Sequence, residues 1–307
     1  MKTMFRMLAL VALTMLFAMP AMATRKGGET HYKLGLESLS TGDTAGAVSH
    51  MKEALSALEG SVDADDQLMK DVRYGLGYAQ SQAGDISGAT STLEGAAGSD
   101  DRAAYLLATI QLKQPGEDSK KAGLSGMANL AKSGGDFSSK AAAAATRMAY
   151  NYALILHNVG KTDQAIDVLT STLTDVGEGK GSDQQESDTA VFAKAYFTLK
   201  SGKPGMAIDQ LQALHGSNSG YTTSGGTSLS EVLGTALYGQ ALEHLGGQRD
   251  NKALDNFRFA AASGGAAADI HHGKAVAYAR QGRADKVAEE VKALFDLDPA
   301  YYEKVKK

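Results

Sequence analysis

The sequence predicts an all-α protein of stacked antiparallel helix hairpins, and three observations support this fold class. First, one spacing recurs along the 307 residues: a small residue is followed by Gly or Pro seven positions later and by a second small residue twelve positions later. Second, apolar residues follow that second small residue after four and seven positions, so these positions share one face of a helix. Third, Gly (35) and Ala (50) are abundant while Trp is absent, which leaves much of the packing to small side chains.

Each copy of the spacing is interpreted as one hairpin. The first small residue lies where two helices cross, because Gly or Ala lets their backbones approach closely. Gly or Pro ends the first helix and permits the turn, and the later Ala and apolar positions form the packing face of the second helix. Neither helix buries its apolar stripe alone, so successive hairpins must stack. Four copies keep the spacing in full, starting at Gly35, Gly77, Ala153 and Ala195.

In chain order, the predicted repeats cover 28–60, 70–98, 101–132, 146–176, 188–215, 232–263 and 268–300, and a polar cap covers 300–307. Three of them are looser: Ala108 precedes Pro115, Gly239 precedes Gly246 with a two-residue insertion before Ala253, and Ala275 precedes Gly282. The third repeat is the most degenerate, because an insertion interrupts the repeat pattern of its second helix near 123–130. Gly- and Ser-rich stretches at 133–139, 177–187 and 215–230 predict flexible connections between repeats.

The repeat resembles the tetratricopeptide repeat, a helix-turn-helix unit of about 34 residues. The first copy matches the Leu-Gly, Gly-Asp and Ala-Leu positions of that family at 34–35, 42–43 and 54–55, and Pro299 resembles its closing proline. Two features depart from the family: the small residues are 31 to 45 residues apart, and His31 is the first of several residues that replace the usual tryptophan. The resemblance implies a right-handed superhelical solenoid that forms one domain over 24–307, with its first helices lining a concave groove.

The N-terminus predicts export. Lys2 and Arg6 precede an apolar run over 7–19, Pro20 breaks that run, and Ala21-Met22-Ala23 is typical of a cleavage site. The run is shorter than the ~20 residues that span a bilayer, so a signal peptide over 1–23 is favoured over a membrane anchor. We therefore expect cleavage near Ala23 and a soluble periplasmic or secreted chain without stable membrane insertion.

Charge and composition exclude several partners and crosslinks. The net charge of the chain is −4, and removal of 1–23 would leave −6, so neither nucleic acid nor an anionic membrane surface is favoured. The absence of cysteine excludes disulfides and a lipid-anchored lipoprotein.

Motifs for catalysis are also missing. The sequence contains no nucleophile elbow, phosphate-binding loop or zinc-protease helix, so we predict no enzymatic activity, no metal and no cofactor. His271 and His272 lie next to Asp269, but neighbours on a helix point about 100° apart, so solvated or partly buried histidines are expected instead of a shared ion. Two acidic clusters lack the glycine and glutamate of a calcium loop and are expected to start helices: Asp63 with Asp65 and Asp66, and Asp100 with Asp101.

An aromatic residue stands three positions before the small residue in five consecutive repeats: Tyr32, Tyr74, Tyr105, Tyr150 and Phe192. Tyr78 and Tyr196 follow two of these after one helical turn. In the family that the chain resembles, this position faces the concave groove, which implies a row of rings suited to an extended peptide or to sugars. The alternative explanation is packing against the neighbouring helix.

Two arginines form a second candidate site. Arg102 and Arg147 occupy equivalent places in the third and fourth repeats, and Asn151 follows Arg147 by one turn. Together they would hold a carboxylate. The alternative is that both arginines are solvated surface residues.

These features favour an exported, non-enzymatic scaffold that binds a protein or peptide segment in its concave groove during a cell-envelope process. The alternative is a glycan-binding solenoid in polysaccharide export or cell-wall remodelling, in which the same rings would stack on sugars. The oligomeric state and the identity of the partner do not follow from the sequence.

Overall fold

The computed structural model describes residues 25–59, 67–177 and 184–306. Fifteen helices and no strand occur within these ranges, which confirms the predicted all-α fold. None of the helices found there is both long and apolar enough to cross a membrane. The predicted signal peptide over 1–23 and the acidic residues Asp63, Asp65 and Asp66 lie outside the described residues, so both stay predictions.

The helices are numbered in chain order. Helix α1 covers 25–40 of the described chain. It is followed by α2 (Thr44–Leu58), α3 (Gln67–Gln82), α4 (Ile86–Ala97), α5 (Asp101–Lys113), α6 (Glu117–Lys132), α7 (Ser138–Asn158), α8 (Thr162–Val176), α9 (Gln184–Lys200), α10 (Pro204–Ser217), α11 (Leu229–Gly246), α12 (Asp250–Ala262), α13 (Ala267–Arg280), α14 (Ala284–Leu297) and α15 (Pro299–Val305).

The described residues form two compact parts that meet between Ala145 and Thr146, and we call these parts the N-terminal half and the C-terminal half. The boundary between them falls inside α7. In the N-terminal half α3 packs on α4 and α5 on α6, and in the C-terminal half α9 packs on α10, α11 on α12 and α13 on α14. Helix α15 packs on α14. Hairpins are therefore the repeating element of both halves, whereas a single domain over 24–307 stays a prediction.

Small residues lie at the helix crossings because larger ones would not fit there. Gly35 and Gly77 are both buried, and a Cβ added to them would come within 2.9 Å of Met51 and 2.5 Å of Leu93. Seven positions after Gly77, Gly84 ends α3 with a φ of +83°, a left-handed conformation that is costly for other residues. The close approach and the left-handed turn together explain the spacing that recurs in the sequence.

The sixth hairpin has a different register from the predicted one. Gly239, the predicted crossing residue, is exposed, and a Cβ added there would meet nothing within 4 Å. Ala241 is fully buried instead, and seven positions later Gln248 adopts the left-handed turn with a φ of 58°. From Ala241 the usual spacing of twelve reaches Ala253, so the predicted two-residue insertion is wrong. The prediction failed because it required Gly or Pro at the turn.

Two segments are more regular than the sequence indicates. Helix α6 is a continuous helix of 16 residues, and it includes 123–130, where the repeat pattern is weakest in the sequence. The predicted connection over 215–230 begins inside α10, and residues 218–228 form a hydrogen-bonded loop. The amide of Leu229 donates to the carbonyl oxygen of Tyr221 (3.0 Å). The amide of Thr223 donates to the carbonyl oxygen of Thr227 (2.9 Å). We call residues 218–228 the Tyr221 loop.

Candidate functional site

Helices α1, α3 and α5 of the N-terminal half bring the predicted tyrosines onto one surface. The guanidinium carbon of Arg102 on α5 lies 5.1 Å from the centre of the Tyr74 ring on α3. Tyr32 on α1 lies close enough to Asp71 and Arg102 for their charges to act on its hydroxyl group. Burial is the main reason that the pKa of Tyr32 is raised; Asp71 raises it further, and Arg102 opposes both.

Two more rings extend this surface by a helical turn. Tyr78 follows Tyr74 on α3 and is 38% exposed, while Tyr105 follows Arg102 on α5 and is half-buried. We define the aromatic face as the following five residues: Tyr32, Tyr74, Tyr78, Arg102 and Tyr105. Its members come from three consecutive first helices, as the sequence predicts.

Arg102 is held in place by two carboxylates of its own chain. Its Nη2 donates to Oδ1 of Asp71 (2.7 Å) and to Oδ2 of Asp100 (2.8 Å), and its Nε donates to Oδ1 of Asp100 (3.0 Å). Asp100 is buried and also accepts a hydrogen bond from the backbone amide of Arg102, which caps α5. Burial raises the pKa of Asp100, but the hydrogen bonds from Arg102 outweigh it and hold that pKa below its usual value. The carboxylate-binding capacity predicted for Arg102 is therefore used within the chain.

Tyr105 forms a partly open pair with an aromatic residue of the next connection. Its ring centre is 5.7 Å from that of Phe137, which lies between α6 and α7. The ammonium nitrogen of Lys140 lies 4.8 Å from the Tyr105 ring centre and 5.7 Å from that of Phe137. Next to this pair is a cleft of about 400 Å³ whose lining includes Gln67, Arg102 and Phe137. That volume is within the range that bound ligands occupy.

The C-terminal half places Phe192 in its core. Phe192 is 6% exposed, and the ring of Tyr221, itself 5% exposed, lies 5.4 Å away. The Tyr221 hydroxyl donates to Oγ1 of Thr189 (3.0 Å), and Nδ2 of Asn218 donates to Oδ2 of the buried Asp188 (2.7 Å). Burial raises the pKa of Tyr221, and the hydrogen bond to Thr189 partly offsets this effect. Phe192 is thus a packing residue, and the Tyr221 loop covers the place where a ligand would meet it.

The other predicted residues of this half lie at its surface or just below it. Tyr150 is half-buried and near the hydroxyl of Tyr221, and Asn151 is exposed. Arg147 is 54% exposed, with Nη1 3.3 Å from Oε1 of Glu186. Tyr196 is half-buried, and the Lys200 ammonium lies 5.2 Å from its ring centre. A ligand-binding role for these residues stays a prediction.

The corrected register reveals an aromatic residue that the sequence analysis missed. Tyr238 stands three positions before Ala241, and its ring centre is 5.8 Å from that of Phe257 in the core. Burial raises the pKa of Tyr238, and the charge of Asp269 raises it further. Counting twelve positions back from Ala253 would have identified Ala241 and therefore Tyr238. Six consecutive repeats, not five, carry an aromatic residue at this position.

Asp269 and His272 both contact Tyr301, whereas His271 pairs with Glu290. Asp269 accepts a hydrogen bond from the Tyr301 hydroxyl, which together with burial raises the pKa of Tyr301 to about 12. Nδ1 of His271 lies 2.6 Å from Oε2 of Glu290, and His272 meets the edge of the Tyr301 ring at 6.0 Å. His271 and Asp269 are therefore each paired with a side chain of α14 or α15. Asp100 and Asp101 begin α5, also as predicted.

Comparisons with known proteins give likenesses of structure. No protein-family model matches the chain, and no curated protein matches it. One similar solved structure is PilF from Pseudomonas aeruginosa, with 15% identity and a TM-score of 0.33 over 92% of this chain and 98% of that one. Another is MamA, with 17% identity and a TM-score of 0.38 over 63% and 93% of the two chains. A tetratricopeptide repeat protein from Parabacteroides merdae has 12% identity and a TM-score of 0.37 over 92% and 98%.

Proposed function

We propose that the protein is an exported, non-enzymatic scaffold that binds an extended segment of a protein partner across the aromatic face of its N-terminal half. The observation that carries this proposal is that rings on three consecutive first helices keep part of their surface exposed. Tyr32, Tyr74 and Tyr105 are half-buried and Tyr78 is exposed, although each of them belongs to a packed helix.

Rings presented in this way suit recognition without chemistry. Tyrosine supplies a large contact area with few rotatable bonds, so little conformational freedom is lost when a partner binds. The ion pairs of Arg102 with Asp71 and Asp100 join α3 to the start of α5 and fix the position of the rings beside them. A segment that places an apolar side chain against Tyr105 and a carboxylate near Lys140 would satisfy both of those groups.

The same contacts favour a peptide over a glycan. A sugar would stack on the open face of a ring, yet Arg102 lies over one face of Tyr74 and Lys140 over one face of Tyr105. These cations reduce the ring surface available for stacking, whereas a polypeptide does not depend on stacking and can also contact the edges of rings. Glycan binding is therefore kept as an alternative outcome of the crosslinking experiment described next.

Site-specific photo-crosslinking in the producing cell tests the proposal. A photoreactive phenylalanine in place of Tyr78 should form a covalent product with a protein partner. The control replaces Phe259, which is 56% exposed on the second helix α12, and should form no such product. Tyr78→Ala combined with Tyr105→Ala should weaken recovery of the partner by about tenfold while the circular dichroism spectrum is unchanged. Equal crosslinking at both positions, or a product with polysaccharide only, would contradict the proposal.

Export is tested separately by fractionating the producing cell and sequencing the N-terminus of the protein. The proposal expects a chain that begins at Thr24 and is recovered from the periplasm or the medium. A chain that keeps residues 1–23 and stays with the cytoplasm would overturn this part, and it would leave the crosslinking result untouched.

A further inference from the structure

Two histidines and one glutamate meet between the helices of the first hairpin. His31 lies on α1, while His50 and Glu53 lie one turn apart on α2. One ring nitrogen from each histidine and one carboxylate oxygen of Glu53 all lie within 4.8 Å of one another. From this arrangement we propose that the first hairpin binds a divalent transition metal ion such as Zn²⁺ through His31, His50 and Glu53.

The two ring nitrogens that face Glu53 are poorly satisfied without an ion. Nδ1 of His31 and Nδ1 of His50 are both shielded from solvent, and neither makes a well-aligned hydrogen bond. Oε2 of Glu53 is nevertheless 2.7 Å from the first and 3.6 Å from the second. Buried ring nitrogens whose contacts are poorly aligned are unfavourable, and an ion placed between them and Glu53 would satisfy both at once.

The distances suit a small tetrahedral ion. Zinc binds imidazole nitrogen and carboxylate oxygen at about 2.0–2.2 Å, which places neighbouring ligand atoms about 3.4 Å apart. The observed separations of 2.7 Å and 3.6 Å lie on either side of that value. Glu53 has a half-exposed side chain, so its carboxylate can shift by the fraction of an ångström that is required. Nitrogen ligands favour zinc, copper or nickel over calcium or magnesium.

The same geometry defines what the ion would do. It would join α1 to α2 where Gly35 already brings the two helices into contact at Met51. Tyr32, the neighbour of His31, is directed towards Gly75 of α3, so the metal site and the aromatic face lie on different sides of α1. Three protein ligands leave the fourth position to water or to a group from another molecule.

Metal titration of the purified protein tests the proposal. The protein is prepared without a polyhistidine tag, stripped with a chelator, and titrated with ZnSO₄ in a calorimeter. We expect one ion per chain, with affinity reduced at least about tenfold by His50→Ala and by Glu53→Gln. His215→Ala, which changes a half-buried histidine on α10, is the control and should bind as the unmodified chain does. Because Glu53 is half-exposed, Glu53→Gln should keep the fold even where a histidine substitution disturbs it.

Cobalt gives a readout of geometry. Co²⁺ bound to these three ligands should show the strong visible absorption of a tetrahedral site, and His31→Ala should remove it. Equal zinc affinity in the unmodified chain and the His50→Ala variant would overturn the proposal, as would no saturable binding by the unmodified chain. Neither outcome bears on crosslinking at Tyr78, so this proposal and the proposed function fail independently.

Discussion

One hairpin of each half shows how differently the same repeat position is used. In the N-terminal half the rings of Tyr105 and Phe137 meet at 5.7 Å and both keep part of their surface exposed. In the C-terminal half the rings of Phe192 and Tyr221 meet at 5.4 Å and both are buried. The second ring comes in each case from the connection that follows the hairpin. In these two hairpins the repeat therefore supplies an aromatic residue, and the connection decides whether that residue keeps an exposed surface or joins the core.

The connections differ in how they are held. Tyr221 donates a hydrogen bond to Thr189, and Asn218 of the same loop donates one to the buried Asp188. Phe137 lacks a polar group of its own, and the ring pair that it forms is flanked by the exposed side chain of Lys140. We call Phe192 with Tyr221 the closed pair and Tyr105 with Phe137 the open pair. The closed pair should contribute more to stability, and the open pair has more surface left for a partner.

The largest effect is expected when the closed pair is broken. Tyr221→Ala should lower the free energy of unfolding by about 3 kcal/mol, because it empties a buried site and leaves the core ring of Phe192 uncovered. Phe137→Ala, the matched change in the open pair, should cost only about 1 kcal/mol, because its ring is half-exposed. Urea unfolding of both variants, followed by circular dichroism, measures the difference. Equal losses of unfolding free energy in the two variants would contradict the difference between the two connections.

A smaller effect is expected at the two equivalent arginines. Arg102 is bound by Asp71 and the buried Asp100, whereas Arg147 has an exposed side chain near Glu186. Asp100→Asn should therefore destabilise the protein by about 1–2 kcal/mol near neutral pH, while Glu186→Gln should change stability by less than about 0.5 kcal/mol.

The effect of Asp100→Asn should also depend on pH. Because the pKa of Asp100 is lower in the folded protein than in the unfolded chain, its carboxylate stabilises the fold above about pH 4. That contribution is lost as the pH falls through the folded pKa. Unfolding measured from about pH 7 down to about pH 2 should show the variant and the unmodified protein converging in acid. A constant gap across this range would mean that the cost comes from packing or capping instead of charge.

The sequence predicts most of the fold because the crossing and turn positions are set by local sterics. Gly35 and Gly77 are where backbones must approach, and such positions are visible as a spacing. The tyrosines of the N-terminal half also follow from that spacing, which places them on one side of α1, α3 and α5. The partial exposure of Tyr105 does not follow, since it depends on Phe137 in the connection between α6 and α7.

The rest of the candidate site depends on contacts that no local pattern encodes. The Tyr221 loop is rich in Gly, Ser and Thr, which is typical of a flexible connection, and its order comes from long-range partners on α9. Arg102 looks available in the sequence, but Asp71, 31 residues earlier, already pairs with it. His31 lies 19 residues before His50, and Glu53 follows His50 by three residues. The three side chains come together only because α1 packs on α2.

The smallest effect is expected at the left-handed turn of the sixth hairpin. Gln248 holds a left-handed conformation with a φ of 58°, where the corresponding residue of the N-terminal half is Gly84 with a φ of +83°. Gln248→Gly should raise the free energy of unfolding by about 0.5–1 kcal/mol, because relief of backbone strain exceeds the added freedom of the unfolded chain. Gly84→Gln is the reverse change at a position with nothing within 4 Å of an added Cβ, and it should cost about 1 kcal/mol. Urea midpoints of the two variants should therefore move in opposite directions. A loss of stability in Gln248→Gly would mean that the Gln248 side chain stabilises the fold by more than its backbone strain costs. The turn of the sixth hairpin would then differ from the glycine turns of the N-terminal half.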